Sequence, residues 1–353
     1  MSFAANVPVL ESLGLSVPGE PIAQSAVRDK AAQVVSAISP DLLKHLSIFE
    51  STGIKTRHFV RPLDWYLETH GWRERSEVFR QEGMTLVQAA AEDALAKAGR
   101  KPTDVDGVVL VCTTGISTPS LDARLVNTMK LRPDLMRVPV WGLGCAGGVA
   151  GLRMAADLAR AHPTKRFLLL SLELCSLAFN LADLDIRTFV AATLFADGAA
   201  AALVRGDETK GNALASIGPA STHEWPDSEG VMGWDVQDAG LSVVFSRKIP
   251  EIVARGMGPL VERFLDASGG RPDRYVFHPG GTKVLQAYEQ ALDLGPSSLE
   301  SARTVLGRYG NMSSPTVLYA LQESLKRPLK AKESALLAAV GPGFASELLR
   351  IEG

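Results

Sequence analysis

The sequence has few cysteines and no excess of either charge. Its 353 residues include three cysteines, none in a C-x-x-C pair, and the formal net charge is -2. An odd number of cysteines without regular spacing argues against a disulfide framework and fits a reducing, cytoplasmic setting. A chain without net positive charge has no general attraction for nucleic acid or for an anionic membrane. We therefore expect local charges to bind any anionic ligand.

Long apolar runs are also missing. No run approaches the roughly 20 residues that span a bilayer, and the N-terminal segment MSFAANVPVLESLG lacks the basic and apolar regions of a signal peptide. We expect neither secretion nor membrane insertion. The length of the chain is large for a single hydrophobic core, which predicts two core-bearing halves. We place them at residues 1–206 and 207–353, after a Gly/Ala-rich strand predicted over 194–204.

Segments typical of strands alternate with segments of helical spacing. Strands are predicted over 105–112, 138–141, 167–172 and 274–277, and helices over 84–98, 121–130, 146–160, 248–267, 282–292 and 315–325. Such alternation predicts an α/β architecture whose sheets are covered by helices.

The loop VWGLGCAGGVAGL (140–152) has two incompatible interpretations. Gly142, Gly144 and Gly147 form the G-x-G-x-x-G pattern of a dinucleotide-binding turn. That site needs an acidic residue about 20 positions later for the ribose hydroxyls. Glu173 follows the next predicted strand but lies 31 residues after Gly142. The dinucleotide interpretation is therefore weak.

Cys145 offers the second interpretation, a nucleophile at the start of a helix. A helix N-terminus favours the thiolate, and the flanking glycines allow an acyl thioester to approach and leave N–H groups free for an oxyanion. The alternative is a small apolar side chain that fills a turn. An activated cysteine needs a base, and His278 ends the strand RYVF immediately before PGG. Asn311, in the turn GNMSS, is either a helix cap or a donor to substrate.

Three motifs together resemble a known family. GCAGG (144–148), VFHPGG (276–281) and YGNMSSPTVL (309–318) resemble the Cys-His-Asn constellation of the chalcone and stilbene synthase family, the type III polyketide synthases. Further segments agree and point to a bacterial member: RPLDWYLE (61–68), LFADGAAA (194–201), AGLSVVFSRKIPEIV (239–253) and GPGF (341–344). The resemblance implies a thiolase-like αβαβα layered fold of two similar halves, a homodimer and no cofactor.

The resemblance also implies a reaction. Cys145 would accept an acyl group from an acyl-CoA starter, and His278 and Asn311 would stabilise the enolate formed when malonyl-CoA loses CO2. The enolate carbon then attacks the Cys145 thioester, and cyclisation of the extended chain gives a pyrone, a resorcinol or a related product. Two alternatives stay open at this point: a ketosynthase III-like enzyme that performs a single condensation, and a non-catalytic thiolase-fold subunit.

Positions around the predicted site are assigned by the same resemblance. Lys55 and Arg57 match contacts to the CoA phosphates, and Phe195 and Val243 match two gatekeeping positions. The remaining matches are to positions that line the substrate pocket: Cys175, Ala178, Gly233, Ser313 and Thr118. The position of Thr118 is one from which the family's side chain reaches into the partner subunit's cavity. The small side chains of Val243 and Ala178 predict a roomy cavity and a long-chain or bulky starter.

Overall fold

The computed structural model describes residues 6–179, 181, 184–237 and 240–353, so the first residue of the motif at 239–253 lies outside the described residues. The strands are β1 (Val9–Ser16), β2 (Ile22–Ala23), β3 (Thr56–Arg57), β4 (Gly107–Cys112), β5 (Met136–Trp141), β6 (Arg166–Leu174), β7 (Asp197–Arg205), β8 (Ala215–Glu224), β9 (Met232–Gln237), β10 (Gly240–Phe245), β11 (Arg274–Phe277), β12 (Ser334–Gly341) and β13 (Ala345–Glu352). The α-helices are α1 (Gln24–Ile38), α2 (Ile48–Ser51), α3 (Trp72–Ala98), α4 (Leu121–Thr128), α5 (Gly147–Ala161), α6 (Ile186–Leu194), α7 (Ile249–Ala267), α8 (Thr282–Leu292), α9 (Glu300–Tyr309) and α10 (Thr316–Leu325).

Nine strands form one sheet, in which the same order occurs twice. The order is β11-β12-β13-β8-β1-β7-β6-β4-β5. From β1 outward, the pairings β1–β7, β7–β6 and β6–β4 are antiparallel, antiparallel and parallel. From β8 outward, β8–β13, β13–β12 and β12–β11 repeat that sequence of pairings. The two halves meet where Val9 and Leu10 of β1 pair with β8. The division between residues 206 and 207 stays a prediction.

Helices cover both faces of each half of the sheet. Successive side chains of a strand point to opposite faces, and in β12 Ala335, Leu337 and Ala339 belong to a central apolar cluster that includes side chains of both α5 and α10. Leu336, Ala338 and Val340 face outward and pack with α7 and α8. On the other side, α3 and α4 pack on the outer face of β4, β6 and β7. The resulting αβαβα layers confirm the predicted fold.

Most predicted elements are present with limits that agree within one or two residues, and two differ by more. The strand over 274–277 and the helix over 282–292 are found with those limits. Helix α3 begins at Trp72, well before the predicted start at residue 84, because its buried face continues through Val78 and Phe79. The strand predicted over 194–204 begins only at Asp197, since Leu194 ends α6, whose first turn Asp185 caps. Among the described residues, no helix combines the length and the apolar character that a bilayer crossing needs.

Candidate active site

Cys145 lies in a tight turn between β5 and α5. A single 3-10 turn, Gly144–Ala146, joins the strand to the helix, and the Cys145 side chain is 5% exposed. Gly144 has a φ of +46°, a conformation that favours glycine, and its N–H donates to Thr113 Oγ1 at 2.9 Å. The Cys145 thiol donates to Ser313 Oγ at 3.6 Å. The turn therefore presents the sulfur to the second half of the molecule.

The glycines that follow Cys145 serve packing. A Cβ atom added to Gly147 would lie 2.6 Å from Val111 Cγ1, and one added to Gly148 would lie 2.2 Å from the carbonyl oxygen of Ser314. These contacts let the first turn of α5 approach β4 and the turn before α10. The acyl-approach role expected of the flanking glycines therefore does not apply to Gly147 and Gly148.

His278 directly follows β11 and is 1% exposed. Its backbone N–H donates to Ala338 O at 2.8 Å, which continues the strand pairing. Neither nitrogen of its ring has a hydrogen-bond partner among the described residues. Burial lowers the pKa of His278 to about 3. The neutral imidazole has one N–H donor and one acceptor nitrogen, and both are available to a bound substrate.

Asn311 is held between the two halves. Its backbone N–H donates to Leu194 O at 3.0 Å, and its carbonyl accepts from Ala196 N–H at 2.9 Å, on either side of Phe195. In the side chain, Oδ1 accepts from Ser313 N–H at 2.8 Å and Nδ2 donates to Gly280 O at 3.3 Å. The amide orientation is therefore fixed within the site, where a hydrogen bond from Asn311 also acts to lower the pKa of the Cys145 thiol.

Burial disfavours a charge on Cys145 alone or on His278 alone. Burial raises the pKa of the Cys145 thiol to about 12, against a smaller opposing effect of the Ser313 hydrogen bond. Burial likewise disfavours an isolated imidazolium at His278. The expectation that the helix start makes Cys145 a thiolate is therefore incomplete, because burial acts in the opposite direction. A thiolate and an imidazolium formed together would leave the pocket without net charge, and each would stabilise the other.

Glu173 is not available to a ribose. Its carboxylate accepts from the N–H groups of Thr113 and Thr114 at 3.1 and 2.9 Å and from Ser314 Oγ at 2.9 Å. Burial raises its pKa to about 7. The residue ties β6 to the end of β4 and to the turn before α10. The dinucleotide interpretation of the 140–152 loop is wrong, since the acidic residue it requires is already occupied by protein donors.

Three of the predicted pocket residues surround Cys145. Phe195, Val243 and Cys175 form one buried apolar cluster with Cys145. Ala178 and Val243 line a neighbouring cavity, together with Phe179, Thr188, Ala191, Trp234, Leu241 and Ser242. The centre of a water-sized sphere can occupy only about 10 Å³ of it, which is room for about one water molecule. The prediction of a roomy cavity is wrong for this part of the site.

Trp234, which was not predicted to line the site, explains in part why the cavity is smaller than expected. It pairs with Val243 across β9 and β10, and its ring centroid lies 5.9 Å from that of Phe195. Gly233 pairs with Val244 instead, and a Cβ atom added there would meet nothing within 4 Å. Side chains that pair across two strands lie on the same face. The alternation along β9 was the signal that favours Trp234 over Gly233 as the lining residue.

Arg57 does not lie at a surface. It is 0% exposed, and its Nη1 donates to the carbonyl oxygens of Ala192 and Phe195, each at 2.7 Å. Burial lowers its pKa to about 9, with Asp197 opposing the shift. The predicted contact of Arg57 with a CoA phosphate is wrong, since the guanidinium is enclosed by protein. Lys55 is exposed and stays a candidate for that contact.

Thr118 lies apart from Cys145. It is exposed and lines a surface groove with Ile116, Pro139 and Trp141, next to β5. The structure therefore brings together Cys145, Asn311, Ser313, Phe195 and Val243 but leaves Lys55 and Thr118 at the surface. A role for Thr118 in a partner subunit's cavity stays a prediction.

Comparisons with known proteins agree with this geometry. Residues 3–208 match the N-terminal domain model of chalcone and stilbene synthases, and residues 217–353 match the C-terminal domain model. The chain is 35% identical over 340 residues to 1,3,6,8-tetrahydroxynaphthalene synthase of Streptomyces peucetius subsp. caesius, covering 95% of this chain and 90% of the relative. It is 30% identical over 302 residues to phloroglucinol synthase of Pseudomonas fluorescens, covering 84% and 86%. The crystal structure of the Streptomyces coelicolor tetrahydroxynaphthalene synthase superposes with a TM-score of 0.92 at 29% identity, covering 97% and 98%.

Proposed function

Because the chain belongs to the chalcone and stilbene synthase family, whose type III polyketide synthases are acyltransferases that perform decarboxylative Claisen condensations, we propose that it loads an acyl-CoA starter on Cys145 and extends it with malonyl-CoA. One observation carries this proposal. The buried Cys145 thiol bonds Ser313, and the side chain of Asn311 accepts from the backbone N–H of Ser313. The same amide donates to Gly280 O, two residues after His278, whose ring nitrogens have no partner among the described residues.

Loading begins with the transfer of the Cys145 proton to His278. The sulfur then attacks the thioester carbon of the acyl-CoA, the bond to the CoA sulfur breaks, and His278 returns the proton to the leaving thiolate. Since burial disfavours each charge alone, we expect the thiolate and the imidazolium to form together. The result is an acyl-Cys145 thioester and a neutral His278.

Extension uses the neutral form of His278. When malonyl-CoA loses CO2, the electron pair of the broken carbon–carbon bond forms an enolate. Its oxygen can accept from the imidazole N–H of His278 and from the amide hydrogen of Asn311 that does not bond Gly280 O, an arrangement that stabilises developing negative charge without a metal. The enolate carbon attacks the acyl-Cys145 thioester, and the sulfur leaves. We propose a long-chain or bulky starter and a pyrone, resorcinol or related product.

Mass spectrometry of the products tests the proposal. The purified protein is incubated with malonyl-CoA and a graded set of acyl-CoA starters, next to Cys145→Ala and to Cys112→Ala, the loss of a buried cysteine outside the Cys145 cluster. We expect multi-ketide products that need Cys145 and survive the loss of Cys112. A diketide alone would favour the single-condensation enzyme, and no condensation with any starter would contradict the proposed function.

We also propose that the chain is a homodimer. Strand β5 ends the sheet order and carries no second neighbour among the described residues, and an exposed edge strand is a template for pairing with another chain. Large apolar side chains are exposed beside it: Ile116 at 51% and Trp141 at 50%. Sedimentation should give a dimer for the unaltered protein and a shift towards monomer for Trp141→Glu, while Leu214→Glu, at a remote exposed leucine, should leave the dimer intact.

A further inference from the structure

We propose that Arg57 is a positioning residue for the decarboxylation of malonyl-CoA, because its buried guanidinium holds the end of α6 in the arrangement that fixes Asn311. The inference rests on the proposed function, in which Asn311 stabilises the enolate. It gives a role to a basic residue that is enclosed by protein.

The end of α6 gives one of its backbone donors to the second half of the molecule. Phe195 N–H donates to Ala191 O and makes the last bond of the helix. One further helical bond would join Ala196 N–H to Ala192 O, four residues earlier. Ala196 N–H instead donates to Asn311 O at 2.9 Å. The bond that holds Asn311 is therefore taken from the helix, and Ala192 O needs another donor.

Arg57 supplies that donor. Its Nη1 donates to Ala192 O and to Phe195 O, each at 2.7 Å, and a cation is favourable at the C-terminal end of a helix. Because Ala192 O is already bonded, Ala196 N–H gains little by continuing the helix. Arg57 therefore favours the arrangement in which Phe195 and Asn311 form their bridge.

Packing holds Arg57 in this place. A Cβ atom added to Gly310, the residue before Asn311, would lie 2.8 Å from Arg57 Cγ, so the stem of Arg57 lies against the turn of the second half. The guanidinium carbon lies 5.0 Å from the ring centroid of Phe59. Nε and Nη2 have no hydrogen-bond partner among the described residues. The hydrogen bonds of this buried cation are therefore concentrated on the two carbonyls at the end of α6.

Removing the donor tests the proposal. Arg57→Met keeps most of the length of the side chain and leaves Ala192 O to compete for Ala196 N–H, so Asn311 should lose its fixed position. We expect the rate of CO2 release from malonyl-CoA to fall about tenfold to 10²-fold. The rate of Cys145 acylation should stay within about twofold. Arg57→Lys keeps a cationic donor and should recover part of the loss, and it serves for the same comparisons if Arg57→Met does not fold.

Two further variants separate positioning from general damage. Arg350→Met is the matched control, since it removes a buried guanidinium of β13 that donates to Gly270 O and Ser334 Oγ. Both rates should stay within about twofold in this control. In Asn311→Ala the group that Arg57 positions is absent. Adding Arg57→Met to Asn311→Ala should therefore slow CO2 release by no more than about twofold.

Two results would overturn the proposal and leave the proposed function intact: equal losses of acylation and CO2 release in Arg57→Met, or losses that multiply in the double variant. If the unaltered protein neither acylates Cys145 nor decarboxylates malonyl-CoA, the proposed function fails, and hydrogen exchange decides the role of Arg57. Mass spectrometry of peptides that contain Asn311 should then show exchange about tenfold faster in Arg57→Met than in Arg350→Met. Equal exchange in the two variants would refute the positioning of Asn311 by Arg57.

Discussion

The two halves of the molecule use the same strand order to place different chemistry. Each half has a buried inner helix, α5 in the first and α10 in the second, and each helix follows a turn with a reactive side chain, Cys145 and Asn311. In the first half a complete strand, β5, leads into the turn. In the second half the described residues before α10 form no such strand, and Asn311 instead makes a single bridge with Phe195 of the first half.

This difference explains why the site lies where the halves meet. A strand in the second half would hold the turn before α10 within its own sheet. The bridge to Phe195 instead holds Asn311 against the end of α6, and Ser313 reaches the sulfur of Cys145. The retained strand of the first half has a different consequence, since β5 leaves an unpaired edge for a partner.

Replacing His278 removes the charge partner that the proposed loading step gives to Cys145. Burial raises the pKa of the thiol to about 12, and an adjacent imidazolium lowers it. In His278→Ala burial still raises the pKa of the thiol and no imidazolium lowers it, so the rate of iodoacetamide alkylation of Cys145 should still be increasing with pH at pH 10. At pH 7 that rate should be about 10³-fold or more below that of the unaltered protein.

The comparison for this experiment is Asn311→Ala, which removes a hydrogen bond that lowers the pKa of Cys145 but removes no charge. Its alkylation profile, followed by mass spectrometry of the Cys145 peptide between pH 5 and 10, should shift in the same direction as that of His278→Ala and by much less. Identical profiles for His278→Ala and the unaltered protein would show that the two halves do not share a proton.

Replacing Asn311 removes an oxyanion donor. Loss of one such donor typically lowers kcat by about 10²–10³, so Asn311→Ala should slow decarboxylation of malonyl-CoA by that factor. Formation of the acyl-Cys145 thioester should change much less, because the proposed loading step uses Cys145 and His278. Intact-protein mass spectrometry measures loading, and CO2 release measures extension. Equal losses in both steps would mean that Asn311 acts by holding the turn and not on the enolate.

Variants of Arg57 and Lys55 test which basic residue of the first half stabilises the fold and which contacts CoA. Arg57→Ala leaves the carbonyls of Ala192 and Phe195 without their donor, which should lower the free energy of unfolding by about 2–4 kcal/mol. The KM for acyl-CoA of the folded Arg57→Ala protein should equal that of the unaltered protein. Lys55→Ala should raise that KM about two- to fivefold and change stability by less than about 0.5 kcal/mol. Urea unfolding measures the stability of each variant, and steady-state kinetics measure its KM for acyl-CoA. A raised KM in Arg57→Ala with unchanged stability would show that Arg57 contacts CoA after all.

Arg57 also marks the limit of prediction from the sequence. The motifs around Cys145, His278 and Asn311, through their resemblance to a known family, predicted the layered fold, which the structure confirms. The joint role of the three side chains stays a prediction from the same resemblance. Arg57 and Lys55 lie two positions apart, so a continuous strand would place both on one face. The strand β3 begins only at Thr56, and the sequence does not show that Lys55 lies outside it, exposed, while Arg57 is buried. The cavity depends on such orientations too. The small side chains of Val243 and Ala178 predicted a roomy cavity. Trp234 fills part of that space from β9, a strand that was not predicted from the sequence.

Gly148 tests the contact between the two inner helices. A methyl group there would lie 2.2 Å from the backbone oxygen of Ser314, so α5 must move away from the turn before α10. Overpacking of this kind costs about 1–3 kcal/mol, and we expect Gly148→Ala to lose that much stability by urea unfolding. Gly233→Ala is the matched control, because its new methyl group meets nothing within 4 Å. If both variants are equally stable, the halves do not depend on close approach at Gly148, and the position of Ser313 must be fixed by the bridge between Asn311 and Phe195 alone.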